Sequence, residues 1–216
     1  VEKPIEHLDL SAMLTGSVKR IAYVNRYSSL PVVRHENVAE HTCFVALFCL
    51  LIGKDVVLRG FNVDFEKLLK SALLHDIDES LSGDFLRCVK YGVPGLKELL
   101  NQAGLGFMRS IEQQLHVELI SDWSEVKDGT LEGNILAIAD LLGVVSYIFE
   151  QFGAGNRHLL YILKEVDRYF EQLEVTLQSV LIRYVSETRS MIDAVYKKHR
   201  DSTVPTLKEP TNAFSA

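Results

Sequence analysis

Helical periodicity constrains this chain more than any other feature. Phe44, Val45, Phe48, Leu51 and Ile52 recur at helical spacing, as do Phe65, Leu68, Leu69, Ala72 and Leu73. Residues 96–121 and 159–198 continue the pattern, the latter as two segments or one bent helix. Residues 96–121 are expected to be interrupted near Gly104 and Gly106, and the helix carrying Asp140 to follow the turn Asp128-Gly129-Thr130. Alternating strand patterns are nearly absent; residues 56–61 are the one short β-branched stretch and read as a loop. Asn37 and Glu40 have the spacing of a capping box, Gly53 reads as the stop of that helix, and Asp64 as the cap of the next. Ser82-Gly83-Asp84, Gly92-Val-Pro-Gly95 and Gly153-Ala-Gly-Asn156 read as breaks. The expectation is an all-α fold, a single helical bundle of about six or seven helices, spanning residues 1–200. Residues 201–216, with two prolines and little periodicity, read as a mobile tail.

Composition sets limits on partners. The chain has 216 residues, 47% of them apolar, enough for one full core. Asp and Glu (29) outnumber Lys and Arg (23), a net charge of -6, so a broad basic face for a nucleic-acid polymer is not expected. A small phosphate ligand needs only a metal and a few local cations. Cys43, Cys49 and Cys88 form no CxxC pair and read as buried thiols of a reducing compartment. The N-terminal stretch VEKPIEHLDL is charged where a signal peptide is apolar, and the apolar run from Val45 to Ile52 is short for a membrane span. A cytoplasmic protein without a membrane partner is expected.

The densest group of metal-ligand residue types is His75-Asp76-Ile-Asp-Glu79. On a helix His75 and Asp76 could both touch one ion, with Glu79 on the same face one turn on. A His-Asp pair alone is equally a charged helix end. His41 opens a strongly apolar helix, and Asp140 sits in the run Leu136-Ala-Ile-Ala-Asp-Leu-Leu-Gly-Val-Val145. A lone carboxylate there needs a partner, either a cation or a buried ion pair. As a set, two imidazoles and two carboxylates suit one divalent ion with open positions.

The order His41, His75-Asp76, Asp140 resembles the H…HD…D pattern of the HD phosphohydrolase superfamily. The segments Asn25-Arg26-Tyr27, Arg34-His-Glu-Asn-Val-Ala-Glu-His41, Leu74-His-Asp-Ile-Asp-Glu-Ser-Leu-Ser-Gly-Asp84, Val89-Lys-Tyr91 and Ala154-Gly-Asn156 are similar to the YfbR-type 5'-deoxynucleotidases. The resemblance covers roughly residues 18–160. It implies His41, His75, Asp76 and Asp140 as ligands of one divalent metal ion (Co, Mn, Zn, Mg or Fe). It implies Glu79 as the carboxylate handling the attacking water and Asp84 as an acid beside phosphate and sugar. Arg26 would face the phosphate, with Lys90 adding charge, and Glu125 would lie near the sugar. Tyr27 stands where the family has tryptophan, and Phe85-Leu-Arg-Cys88 replaces a proline-containing stretch, so the choice of nucleotide stays open. A homodimer is also implied.

The leading reading is removal of phosphate from 2'-deoxynucleoside 5'-monophosphates by a metal-activated water. A dNTP triphosphohydrolase of the dATP-destroying phage type is the alternative. A non-catalytic nucleotide-sensing module would have lost a ligand or Glu79, and neither is lost. His35 reads as a solvated loop residue and Glu40 as a cap or an orienter of His41. Trp123 reads as core or groove wall, and Tyr161, Tyr169 and Phe170 as core or dimer packing. His116 is the lone histidine between His75 and Asp140, too few for a two-metal centre. Asp78 has no assigned task.

Overall fold

The computed structural model describes residues 7–124 and 128–202. Among them there is no strand, only an isolated antiparallel bridge between Asn25 and Asn37. Ten α-helices occur in chain order: α1 (Leu10–Thr15), α2 (Val38–Leu58), α3 (Phe65–Leu74), α4 (Glu79–Ser82), α5 (Arg87–Gly92), α6 (Leu96–Leu115), α7 (Ile120–Ser124), α8 (Leu131–Gly153), α9 (Leu160–Glu174) and α10 (Ile182–Ser202). A 3-10 segment, Ser17–Tyr23, follows α1. Six of the ten have ten residues or more, which matches the all-α bundle expected.

Helix α8 is the axis of the core. Thr130 caps it, its hydroxyl accepting from the Gly133 amide, and Ile135, Leu136, Ile138, Ala139, Leu141, Val145 and Ile148 are all buried. Each large aliphatic side chain taken from water contributes about 1.5–3 kcal/mol, so this helix is held chiefly by packing. Against it lie α2, through Val45, Cys49, Ile52 and Val56, and α9, through Leu163, Val166 and Phe170. A second, smaller core joins Ile77 to Phe107, Met108, Ile111 and Leu115 of α6.

Several local expectations are corrected by this packing. Helix α2 does not stop at Gly53 but runs to Leu58, so residues 56–58 are helical rather than loop. Gly53 instead admits α3: a Cβ there would lie 2.9 Å from the Phe65 ring. Helix α6 runs without interruption through Gly104 and Gly106. A Cβ on Gly104 would meet Asp78 and Trp123, so this glycine serves a close approach. Cys43 is exposed, not buried; Cys49 is buried as expected. The 159–198 region is two helices, α9 and α10, and α10 takes in Asp201 and Ser202. The rest of the expected tail lies outside the described residues, as does Glu125. The apolar run of residues 45–52 belongs to a 21-residue helix. By length and composition α2 and α8 could each cross a membrane, but two thirds of the apolar window of α8 (67%) is buried inside this fold, where it serves as a core helix.

Candidate active site

Three elements bring the expected ligands together. The capping box forms: Asn37 Oδ1 accepts from the Glu40 amide at 2.9 Å and Glu40 Oε2 accepts from the Asn37 amide at 3.3 Å. It fixes the start of α2 and puts His41 one turn in, fully buried. Helix α3 ends at Leu74, earlier than the sequence suggests, and residues 75–78 form a tight turn leading into α4. Glu79 is therefore the first residue of a new helix rather than one turn further along the old one. The turn keeps the chain compact through bonds such as Glu79 N–H to the Asp76 carbonyl at 3.1 Å. Asp140 projects from the middle of α8.

Side-chain ligand atoms of His41, His75 and Asp140 all lie within 4.8 Å of one another. Asp76 Oδ2 lies 3.2 Å from His75 Nε2 and 3.9 Å from His41 Nε2. Asp76 thus joins this cluster through the two imidazoles. His75 Nδ1–H donates to the Ala72 carbonyl at 2.7 Å, which leaves Nε2 with the lone pair in the neutral ring. That lone pair faces a carboxylate oxygen, two acceptors that a cation between them would reconcile. Burial, reinforced by Arg26, pushes the His41 imidazole down to about 4, so it is neutral near pH 7 and able to ligate. Glu79 Oε2 is buried with no hydrogen-bond partner among the described residues. The donor set, borderline nitrogen with hard oxygen, fits a divalent ion.

Burial raises the Glu79 carboxyl well above its ordinary range, and the nearby charges of Asp76 and Asp84 add to this. Burial raises Asp84 too, opposed by Arg26. Asp84 follows Gly83, whose φ of 78° and ψ of 166° suit glycine alone. The carboxylate then turns back to accept from the Tyr27 amide at 3.1 Å. Tyr27 itself holds φ at 54°, uncommon for a side chain of its size, and is stacked on Tyr147 at 5.5 Å. The loop before α2 is pinned to the end of α8: Tyr147 and Gln151 donate to the Arg34 carbonyl, and Asn156 to the Pro31 carbonyl. That gives the Ala154-Gly-Asn156 segment its task.

Arg26 is placed differently from the simple expectation. It lines the cavity, yet it is buried, and its Nη1 lies 2.7 Å from both Glu36 Oε2 and His41 Nδ1. Burial opposes its charge, but Tyr27, Glu36, Asp84 and Asp76 hold it above the usual arginine range. With Nδ1 accepting from Arg26, the His41 proton is on Nε2, directed at Asp140 Oδ1 at 3.1 Å. Ligation through Nε2 requires the other tautomer, and Glu36 Oε2, 3.9 Å from Nδ1, can accept its Nδ1–H only once Arg26 gives way. Glu36 thus acts on His41 through Arg26, the group that contacts Nδ1 directly. Glu40 is occupied with the cap and with Arg34 at 3.1 Å.

A cavity opens from the cluster, with about 900 Å³ of space counting its mouth. Arg26, Tyr27, Asp76, Glu79, Asp84, Lys90 and Asp140 line it, so the expected site residues other than Glu125 and the two histidines share one wall. Tyr161, Ile162, Glu165 and Val166 of α9 line the same space, a part of the site that no sequence motif marked. Tyr161 was expected in core or dimer packing; it is exposed and lines the cavity, and only Phe170 of that trio is fully buried. His35 is exposed as expected, and His116 ends α6 in the left-handed region, outside the cluster. Trp123 packs on the second core. Asp78 lies against Gly104 with Trp123, joining the 75–78 turn to α6 and α7.

A helical bundle that gathers two histidines and an aspartate, with a second aspartate against the imidazoles, beside such a cavity places the chain in the HD class of phosphohydrolases. The family model described as 5'-deoxynucleotidase YfbR-like matches residues 13–188, and the chain belongs to that family. A 5'-deoxynucleotidase of Photorhabdus laumondii is 28% identical over 157 residues, 70% of this chain and 79% of that protein. A conserved hypothetical protein from Pyrococcus furiosus is similar in structure, with a TM-score of 0.64 at 26% identity over 88% of this chain and 99% of that one. The HD phosphohydrolase DatZ of cyanophage S-2L, solved bound to dA and one catalytic Zn2+ ion, shares the fold at a TM-score of 0.58 and 18% identity, over 82% and 95% of the two chains.

Proposed function

We propose that this protein removes phosphate from 2'-deoxynucleoside 5'-monophosphates, with one divalent metal ion held by His41, His75, Asp76 and Asp140. The observation that carries the reading is the convergence of those four side chains at the end of a cavity lined by Glu79, Asp84, Arg26 and Lys90. A divalent ion held there would supply Lewis acidity toward the phosphoryl group and would acidify water. Glu79 takes a proton from the water whose oxygen attacks phosphorus. As the bond from phosphorus to the 5'-oxygen breaks, its electron pair stays on that oxygen, and Asp84 supplies the proton. Burial raises both carboxyls, and the charge of a bound ion is what would keep Glu79 ionised for its part. Arg26 and Lys90 oppose the charge of the phosphoryl group. Tyr27, held by Asp84 and Tyr147, forms the floor beside the sugar, and Glu125 belongs to the same proposal.

The test is phosphate release from a panel of deoxynucleoside and nucleoside monophosphates with added Co, Mn, Mg, Zn or Fe. Turnover confined to deoxynucleotides supports the reading; no turnover with any metal removes it. Arg87 and Lys90 on the cavity wall are the cations that a dNTP triphosphohydrolase would use. Tripolyphosphate among the products of dNTPs would establish that alternative.

The proposal includes residues 1–200 as one catalytic domain with 201–216 as a tail, a cytoplasmic location and a homodimer. Exposed Phe44, Leu47 and Leu51 along α2 supply an apolar surface for a second copy. Light scattering in solution decides the oligomeric state.

A further inference from the structure

The cavity continues past the phosphate-handling residues, and its far wall has a different chemistry. Leu141 and Val144 of α8 and Tyr161, Ile162 and Val166 of α9 line it with apolar surface. Val144 lies one turn beyond Asp140, ~6 Å along the helix. A nucleotide anchored by its phosphate at the cluster therefore extends its sugar and base along this wall. Two charged side chains stand there, Glu165 on α9 and Arg87 on α5. The Arg87 guanidinium lies 3.8 Å over the Tyr169 ring, which holds it against the wall. Glu165 is half-buried and makes no hydrogen bond or ion pair with another described residue. A carboxylate partly withdrawn from water among apolar groups is unfavourable unless donors meet it. Nothing in phosphate transfer calls for a carboxylate at this position, since it would repel the phosphate.

We propose that Glu165 and Arg87 read the base of the nucleotide and that the base they fit is guanine, with the exposed Tyr161 ring on the same wall. The proposal rests on the deoxynucleotidase reading above. Guanine presents two adjacent donors, N1–H and N2–H, which match the two oxygens of one carboxylate. It also presents two adjacent acceptors, O6 and N7, which match a guanidinium. Adenine and cytosine each place a ring acceptor beside the amino donor, so a carboxylate gains one bond and meets one repulsion. Thymine offers a single N–H between two carbonyls.

The experiment compares kcat/KM for phosphate release from dGMP, dIMP, dAMP, dCMP and dTMP. The expected result is dGMP ahead of dTMP by about tenfold or more, with dIMP, which lacks the N2 amino group, in between. Glu165→Gln, which exchanges one acceptor oxygen for a donor, should bring the ratio of dGMP to dTMP toward one. Equal values across the bases, a preference for another base, or an unchanged ratio in Glu165→Gln overturns the guanine assignment. Each of those leaves the deoxynucleotidase reading standing. Phosphate release from none of the five removes the reading beneath it. The comparison of dGMP with dIMP uses the unaltered protein, so it decides the matter even where the variant fails to fold.

Discussion

Gly143 of α8 faces the ring of His41 so closely that a Cβ on it would lie 2.8 Å from His41 Cε1 and 3.0 Å from Nδ1. Glycine at that position lets α2 and α8 approach until His41 and Asp140 share one point. Gly143→Ala should push the imidazole aside. Overpacking of this kind costs about 1–3 kcal/mol of stability, and displacing a ligand's orientation should weaken metal binding roughly 10–100-fold. Thermal melting and metal titration of the variant check both. An unchanged metal affinity would show that His41 has room to spare.

Glu36 is buried and bonded at 2.7 Å to Arg26, which in turn lies 2.7 Å from His41 Nδ1. Glu36→Gln keeps the shape and removes the charge. Breaking a buried pair costs about 3–5 kcal/mol, and the lower end applies here because Asp84 and Asp76 also face Arg26. Metal affinity should fall as well, while Glu40→Gln, altering only a cap and an exposed pair, should leave it near the original value. Isothermal titration of the two variants with Zn2+ separates them; equal losses would return the orienting role to Glu40.

Asp55 ties α2 to α10, accepting from Arg59 at 2.8 Å, from Arg183 at 3.0 Å and from the Tyr184 hydroxyl. These bonds, Arg59 first and Tyr184 next, hold its carboxyl at about 2 against an ordinary 3.8. A depressed carboxyl stabilises the fold above the unfolded value and loses that contribution as pH falls through the folded one. Asp55→Asn should therefore melt below the unaltered protein at neutral pH, with the gap closing between about pH 4 and pH 2. A gap independent of pH would mean that shape, not charge, carries the clamp.

The site was legible where its residues stand close in sequence to a local signal. The capping box announced the start of α2 and so the setting of His41, and Asp140 was conspicuous as a carboxylate in an apolar run. Gly143 could have been found, since it lies three residues from Asp140 on the same face. Glu36 was harder: its pairing with Arg26 depends on the bridge between Asn25 and Asn37, which joins residues on either side of a loop. Glu165 and Tyr161 were out of reach. Their helix shows an ordinary amphipathic stripe, and only the docking of α9 on α8 turns that flank toward the cavity. The misplaced stop at Gly53 and the expected break at Gly104 have one cause: each glycine admits a neighbouring helix, a tertiary need that local propensity does not record.

The central claim is a division of labour, with ligands on one side and a proton acceptor on the other. Metal content and phosphate release from a deoxynucleoside monophosphate, measured on the same preparations of Asp76→Ala and Glu79→Ala, test it most directly. Asp76→Ala should lose both metal and turnover, whereas Glu79→Ala should keep its metal and lose turnover by a factor of about 100 or more. Equal metal loss in the two variants, or undiminished turnover in Glu79→Ala, would contradict it.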